Sequence, residues 1–376
     1  MRTLIAVAAV ATALFASSVE AAIPAPLPRV SAAAWYLVGE DDSVLAQRSA
    51  RERRPIASIT KLMTAVVTLE HAQLSAVVTV GAVAAEVGES TVFLRPGERL
   101  TVADLLRGML VRSANDAAEA LALYVGDGSI RRFVSLMNQK AQELGLSDTS
   151  FVNPHGLDTR GHVSSARDTT LLVRYALGIP FVRETLDRSV VVLPGGRVFP
   201  TTDDLLDTWA PLVGGKTGHT AGAGWSEAAA ARRGGVTVYG TVLGSRSRSA
   251  RNDALHVLLE YGLERYRRVT VVDAGRTYGE ARTGYGRAPV ALVAPKSLAR
   301  TVHEETQLVE RVVVPSSVAL PVVKGAVLGS VEIYAGDRLV AASNLVAAAD
   351  VTEPGVVGKV LWYAGRTARH LWGFVS

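Results

Sequence analysis

The sequence predicts an α+β fold: an antiparallel sheet combined with helices, then a small all-β domain and a terminal amphipathic helix. Three observations predict it. Strand patterns stand at both ends of a long helical stretch, as in a mixed domain with an antiparallel sheet. After about residue 268 the helical periodicity stops and short β-rich runs follow one another. From residue 355 one helical stripe returns. With 376 residues, 48% of them hydrophobic, the chain is too long for a single core and too apolar to be disordered.

Met1-Arg2 precedes an uncharged apolar run over 4–16, and small residues follow up to Ala21. This is the layout of a secretory signal peptide, residues 1–21, and the run is shorter than a spanning helix needs. Residues 22–29 read as an Ala- and Pro-rich linker. A hairpin is expected over 34–38 and 44–46, around the polar turn Gly39-Glu40-Asp41-Asp42. Helical patterns follow at 58–72, 101–111, 115–125, 129–145 and 168–177. The second opens on Thr101 and Asp104, spaced as in a capping box. Strand patterns return at 189–193, 226–232 and 236–243, with a helix near 250–260. One domain is therefore expected over 30–268 and a second over 269–353, with β runs at 269–272, 290–293, 306–314, 328–334 and 338–342. No internal repeat is evident.

The terminal segment, 355–376, repeats apolar residues every three or four positions from Val357 to Val375. Lys359, Arg366 and Arg369 lie mostly off that stripe, and Trp372 and Phe374 stand near its end. A basic amphipathic helix of this kind reads as one lying in a membrane interface. It supplies three of the positive charges behind the net +5. The basic excess thus points to an anionic membrane surface, and no motif supports nucleic acid. The absence of cysteine excludes a disulfide scaffold, a cysteine nucleophile and a thiolate metal site.

Three short motifs carry chemistry. In Ser58-Ile59-Thr60-Lys61 the serine and lysine are three apart on a helical pattern, so the amine can reach the hydroxyl. A serine needs such a base, and lysine becomes one when its surroundings lower its pKa. A helix beginning at Ser58 would also aim a backbone N–H at a developing oxyanion. Ser113-Ala114-Asn115 offers a hydroxyl to relay a proton and an amide to orient the substrate or the lysine. Lys216-Thr217-Gly218, followed by His219, suggests an active-site strand whose lysine and threonine hold a carboxylate, with Gly218 admitting a close backbone. Each motif alone is common on ordinary helices, caps and turns. Together, in this order and 55 and 158 residues from Ser58, they form the active-serine signature of penicillin-binding proteins and serine β-lactamases.

The chain resembles the D-alanyl-D-alanine carboxypeptidases, the low-molecular-mass penicillin-binding proteins of peptidase S11 type. The resemblance extends to Arg54-Pro-Ile-Ala-Ser-Ile-Thr-Lys-Leu-Met-Thr-Ala65, Phe93-Leu-Arg-Pro-Gly-Glu98, Ser113-Ala-Asn-Asp-Ala117, Phe151-Val-Asn-Pro-His-Gly-Leu-Asp158, Ser165-Ala-Arg-Asp168 and Gly215-Lys-Thr-Gly-His-Thr220. Gly325-Ala-Val-Leu-Gly-Ser-Val-Glu-Ile-Tyr334 resembles the family's C-terminal β domain more loosely. The resemblance implies a DD-peptidase/β-lactamase-like domain with helices on both sides of the sheet. It implies Ser58 as nucleophile, Lys61 as general base, Ser113 as proton shuttle and Asn115 as a substrate contact. Lys216 and Thr217 would bind the carboxylate of the terminal D-alanine. The N–H groups of Ser58 and His219 would form the oxyanion hole, with Arg251 near the carboxylate site. Peptidoglycan stem peptides and β-lactams are the implied partners. No cofactor or metal is implied.

Two departures stand out. Thr201 and Asp203 replace the two Asn of the family's Asn-x-Asn-x-Leu-Leu, and Val213-Gly214 replaces an Asp-Gly pair. Neither is expected to touch the catalytic groups; both bear on substrate preference. A class A β-lactamase would need a Glu-x-x-Leu-Asn loop between Ser113 and Lys216, which is absent. A zinc peptidase would need clustered ligands, and His155, His162 and His219 lack metal-ligand spacing. A non-catalytic wall-associated penicillin binder is the reading from another class, and the complete motif set argues against it. Gly222 and Gly224 read as turn residues, since no strand–loop–helix context surrounds them.

Overall fold

A computed structural model describes residues 27–372, with side chains described to residue 367. The expected signal peptide and the extreme C-terminal side chains lie outside the described residues. The chain divides into two compact units, one ending at Arg265 and the other beginning at Tyr266.

The first unit opens with the hairpin β1 (Ala34–Gly39) and β2 (Val44–Arg48). Then come α1 (Lys61–His71), β3 (Val77–Thr79), α2 (Ala82–Ala85), β4 (Arg99–Thr101), α3 (Val102–Val111), α4 (Asn115–Val125) and α5 (Ile130–Glu143). They are followed by α6 (Ala166–Leu177), α7 (Pro180–Leu186), and the small hairpin β5 (Val190–Leu193) with β6 (Arg197–Pro200). Three long strands, β7 (Leu212–Thr220), β8 (Gly224–Arg233) and β9 (Val236–Ser245), lead into α8 (Arg248–Glu264). The main sheet has the order β2-β1-β9-β8-β7, with every pair antiparallel.

Helices cover both faces, as expected. Thr170 of α6 donates to Thr241 at 2.8 Å on one face. On the other, Gly240 lies against Leu258 and Leu259 of α8. Burial on two sides explains why Ala228–231 of β8 are small and fully buried, since a near-continuous apolar run replaces strict alternation. The helical side holds the larger core, with Leu62, Met63, Val66, Leu105, Leu106, Met109, Leu121 and Phe133 inside. The capping at α3 is as expected, because the Asp104 N–H donates to Thr101 Oγ1 at 3.1 Å.

Two local differences have physical causes. The helix expected from residue 58 begins as an α-helix only at Lys61, and Ala57–Thr60 forms a tighter 3-10 turn. Ala57 there has φ +48°, a left-handed conformation that regular helix cannot continue from. The short helix α7 and strand β6 were not expected. Pro180 at the start of α7 is a favoured N-terminal position, but its seven residues are too few for a clear helical period.

The second unit contains β10 (Tyr266–Val272), β11 (Thr277–Thr283), β12 (Val290–Val293), β13 (Leu298–His303), β14 (Leu308–Val313), β15 (Ser317–Val318), β16 (Val327–Ala335) and β17 (Arg338–Ala347). Six of these form a sheet ordered β14-β16-β17-β12-β11-β15, and β10 pairs with β13. Val272, Leu292, Val331, Ile333 and Leu345 form its core. Strands β11 and β13 escaped the sequence reading because Arg and Thr fill their half-exposed positions.

The terminal helix α9 spans Val356–Trp372. Trp362 and Tyr363 meet the Tyr285 ring at 5.4 and 6.1 Å between centroids, and the Lys359 ammonium lies 5.5 Å from its centre. Val356, Val357, Val360 and Leu361 stay exposed. Among the described residues, no helix is long and apolar enough to cross a membrane.

Candidate active site

The serine and lysine meet where the helical layer joins the sheet. Ser58 lies on the 3-10 turn and Lys61 opens α1. Lys61 is fully buried. Its Nζ lies 2.8 Å from Ser58 Oγ, 2.7 Å from Asn115 Oδ1 and 2.8 Å from the His155 carbonyl oxygen. Burial pushes its pKa well below the lysine range, and the nearby Lys216 charge adds to the effect. Nζ donates to the serine hydroxyl and to the two carbonyl oxygens, and the lowered pKa favours losing one of those protons, which frees a lone pair to face the hydroxyl.

The turn that carries Ser58 is held from three sides. The Thr60 hydroxyl donates to the Ala57 carbonyl at 2.8 Å and lies 2.8 Å from His162 Nε2. His162 Nδ1 accepts the Val152 N–H at 3.0 Å, so Nε2 carries the proton and donates to Thr60. Gly156, at φ +92°, leaves no room for a side chain, since a Cβ there would fall 1.9 Å from the Ala57 oxygen. Gly218 of β7 presses on the same turn, where a Cβ would lie 2.9 Å from the Ile56 oxygen and 3.0 Å from Ser58 N. The close approach that Gly218 permits is thus to the protein's own turn carrying Ser58.

His162 also makes a pH prediction. Burial lowers its pKa to about 4, below the unfolded value. Its contribution is therefore complete above about pH 6.5 and lost as the pH falls through about 4, amounting to about 3 kcal/mol. Urea unfolding at neutral and acidic pH should show His162→Gln losing less stability on acidification than the wild type, by about that amount. His155, lowered to about 3 by burial, has the same sign and remains in both proteins.

Asn115 begins α4. Its Oδ1 takes a Lys61 N–H, its Nδ2 donates to Gly88 O at 2.9 Å, and its backbone N–H donates to Ser90 O at 2.7 Å. The amide therefore orients the lysine, with one N–H left over. Ser113, two residues earlier, is buried with φ +66°. Among the described residues, no hydrogen bond joins its hydroxyl to Ser58 or Lys61. Asp116 fastens the facing loop by accepting the Val92 and Leu94 N–H groups at 3.2 and 3.0 Å.

On β7, Lys216 is 1% exposed, and burial lowers its pKa to about 7 against the raising effect of Glu227 and Asp203. Thr217 Oγ1 lies 2.7 Å from Thr202 Oγ1. His219 is exposed, its ring 4.1 Å from that of Trp225. Asp158 fixes the turn after β7, accepting from Thr220 Oγ1 at 2.7 Å and from Gly222 N at 2.9 Å. Arg251 of α8 is buried, with Nε 3.0 Å from Glu227 Oε2 and Nη2 3.2 Å from Asp204 Oδ2. The departure at 203 proves less remote than expected, because Asp203 turns inward, 4% exposed, beside Glu227 and Lys216. Asp158, His162, Thr202 and Glu227 were not singled out as functional; their contacts cross 10 to 102 residues of chain and leave no local pattern. Among the described residues, no cluster fit for a metal occurs.

A serine facing a desolvated lysine, between an antiparallel sheet and a helical layer, defines an acyl-transfer hydrolase of the active-serine penicillin-recognising class. The sequence profile of the D-alanyl-D-alanine carboxypeptidases, Peptidase S11, matches residues 20–247. That of the penicillin-binding protein 5 C-terminal domain matches residues 266–353. The chain is 32% identical over 374 residues to D-alanyl-D-alanine carboxypeptidase DacC of Escherichia coli (strain K12), covering 92% of this chain and 90% of that protein. The structure of penicillin-binding protein 5 from Haemophilus influenzae superposes with a TM-score of 0.63 at 28% identity, covering 87% of this chain and 99% of that one. The Streptomyces K15 DD-transpeptidase gives a TM-score of 0.60 at 31% identity over 64% of this chain and 99% of that one. The chain belongs to the D-alanyl-D-alanine carboxypeptidase family, peptidase S11, and its activity is that of a serine-type D-alanyl-D-alanine carboxypeptidase.

Proposed function

We propose that the protein removes the terminal D-alanine from peptidoglycan stem pentapeptides through an acyl-enzyme on Ser58. The observation that carries this is the Ser58–Lys61 contact of 2.8 Å, made by an amine whose pKa burial lowers well below the lysine range. Ser58 Oγ attacks the carbonyl carbon of the penultimate D-alanine while its proton passes to Lys61 Nζ. The oxyanion is held by the N–H groups of Ser58 and His219; the closeness of β7 to the turn at Gly218 supports that pairing. The C–N bond then breaks, and the leaving amine takes the proton by way of the Ser113 hydroxyl. Lys61 next draws a proton from water, which hydrolyses the ester and frees Ser58. Lys216 and Thr217 bind the terminal carboxylate, and Arg251 reinforces the positive field from within. A β-lactam enters the same site and acylates the same serine. The test is release of D-alanine from a diacetylated Lys-D-Ala-D-Ala tripeptide, alongside labelling by fluorescent penicillin.

We divide the chain functionally into a signal peptide (1–21), the catalytic domain (30–268), the β domain (269–353) and an interfacial anchor (355–376). The mature protein then works at the extracytoplasmic face of the membrane. The exposed stripe of Val356, Val357, Val360 and Leu361 supports the anchor. Deleting 355–376 should move the mature protein from the membrane to the soluble fraction and leave turnover of the soluble tripeptide unchanged. A truncated protein that still sediments with membranes would place the anchor elsewhere.

A further inference from the structure

Behind Lys216 lie two acids that the reaction above does not use. Glu227 stands on β8 opposite Thr217 and is fully buried. Asp203 comes from the loop before β7, is itself buried, and interacts electrostatically with Glu227. Asp203 Oδ1 accepts the Leu205 N–H at 3.0 Å. Its Oδ2 and both Glu227 oxygens accept no hydrogen bond among the described residues. Arg251 Nε comes within 3.0 Å of Glu227, but that N–H is directed at Asn252 Oδ1, also at 3.0 Å. Folded proteins rarely leave three buried oxygens without a donor. One proton between the carboxyls supplies the donor, because one acid then hydrogen-bonds to the other.

Charged groups face this pair from several elements. Lys216 comes from β7 and Arg251 from α8. Asp204 and Arg248 also lie close, but they pair with each other at 2.6 Å and cancel. Lys61 also interacts with Lys216, and burial lowers its own pKa well below the lysine range. Arg251 and Lys216 face two acids whose pKa burial raises. Burial brings Lys216 down to about 7, and the charge of the acids is what favours its cationic form.

We propose that Asp203 and Glu227 share one proton beneath Lys216, so that the four-group cluster keeps one net positive charge for the substrate's terminal carboxylate. The proposal rests on the carboxylate-binding role assigned to Lys216 above. With all four groups ionised the cluster is neutral, and an entering carboxylate becomes an uncompensated buried anion. With one proton shared, the carboxylate brings the site to neutrality. Asp203 and Glu227 are positioning residues, acting through Lys216 and Arg251. The single remaining negative charge favours the protonated form of Lys216, so the two acids back each other up.

The test has a spectroscopic arm and a kinetic arm, both on the full chain. Infrared spectra of the wild type at neutral pH should contain the carbonyl band of a protonated carboxylic acid that disappears in Glu227→Gln and in Asp203→Asn. The same band should titrate away at alkaline pH in the wild type as KM for the tripeptide rises, which carries the test if either variant fails to fold. In kinetics, the double variant Asp203→Asn/Glu227→Gln loses the last counter-charge of Lys216. Its KM should rise about tenfold or more, well beyond the product of the single effects, with kcat changing far less. A band absent from the wild type, a band unchanged in both variants, or single variants that each lower KM would overturn the shared proton. Absence of D-alanine release by the wild type at every pH would instead refute the functional reading itself.

Discussion

Ser58→Ala abolishes two signals at once: covalent labelling by fluorescent penicillin and release of D-alanine. Removing the nucleophile of an acyl-enzyme pathway lowers kcat by about 10⁴-fold or more. No other hydroxyl can take over. The Thr60 hydroxyl is committed to the Ala57 carbonyl and stands against His162. Ser113 has no hydrogen bond to Lys61 among the described residues. Retained labelling in Ser58→Ala would reassign the nucleophile and with it every role built around Lys61. Because Ser58 is small and sits on a turn held by other residues, the variant should unfold at nearly the wild-type temperature.

Lys61→Met separates catalysis from stability more sharply. The thioether chain fills nearly the volume of the lysine but offers no base. Acylation by both peptide and penicillin should fall by about 10²- to 10⁴-fold, the usual contribution of a positioned general base. Stability should hold or rise, since a fully buried amine gives way to an apolar group. The Asn115 and His155 carbonyls lose a donor each, which limits the gain. Thermal unfolding and the penicillin acylation rate, measured on the same preparation, check both halves. If the variant acylates at the wild-type rate, Lys61 is not the base.

The candidate site residues were legible because they are local. Ser58 and Lys61 are three residues apart, and Ser113 stands two residues before Asn115 at the start of α4, so a short window contains each pair. The main helices were legible for the same reason. What supports those groups was not. Asp158 ties down Thr220 across 62 residues, and His162 reaches Thr60 across 102. Either histidine or aspartate reads as an ordinary loop residue until the chain is folded. Glu227 was hidden differently: in a run of alanines on a strand buried on both faces, one acid looks like a solvent-facing exception. Only its neighbours, Asp203 and Arg251, show that it faces inward. Strand β11 was missed because its exposed positions are polar and its buried ones are few.

Ala57 and Ser113, the residues at φ +48° and +66°, flank the two segments that bring nucleophile, base and amide together. Each departs from the backbone a non-glycine residue prefers, by about 1–3 kcal/mol. Folding absorbs that energy before any ligand arrives. The proposed reaction then needs little reorganisation, because Ser58 Oγ and Lys61 Nζ already stand 2.8 Å apart. A preorganised cleft of this kind makes no demand on the flexibility of its ligand. On the proposed mechanism a stiff bicyclic lactam acylates the same serine as a pliant peptide, and the protein's susceptibility to the lactam follows from its own stiffness as much as from the lactam's likeness to the substrate.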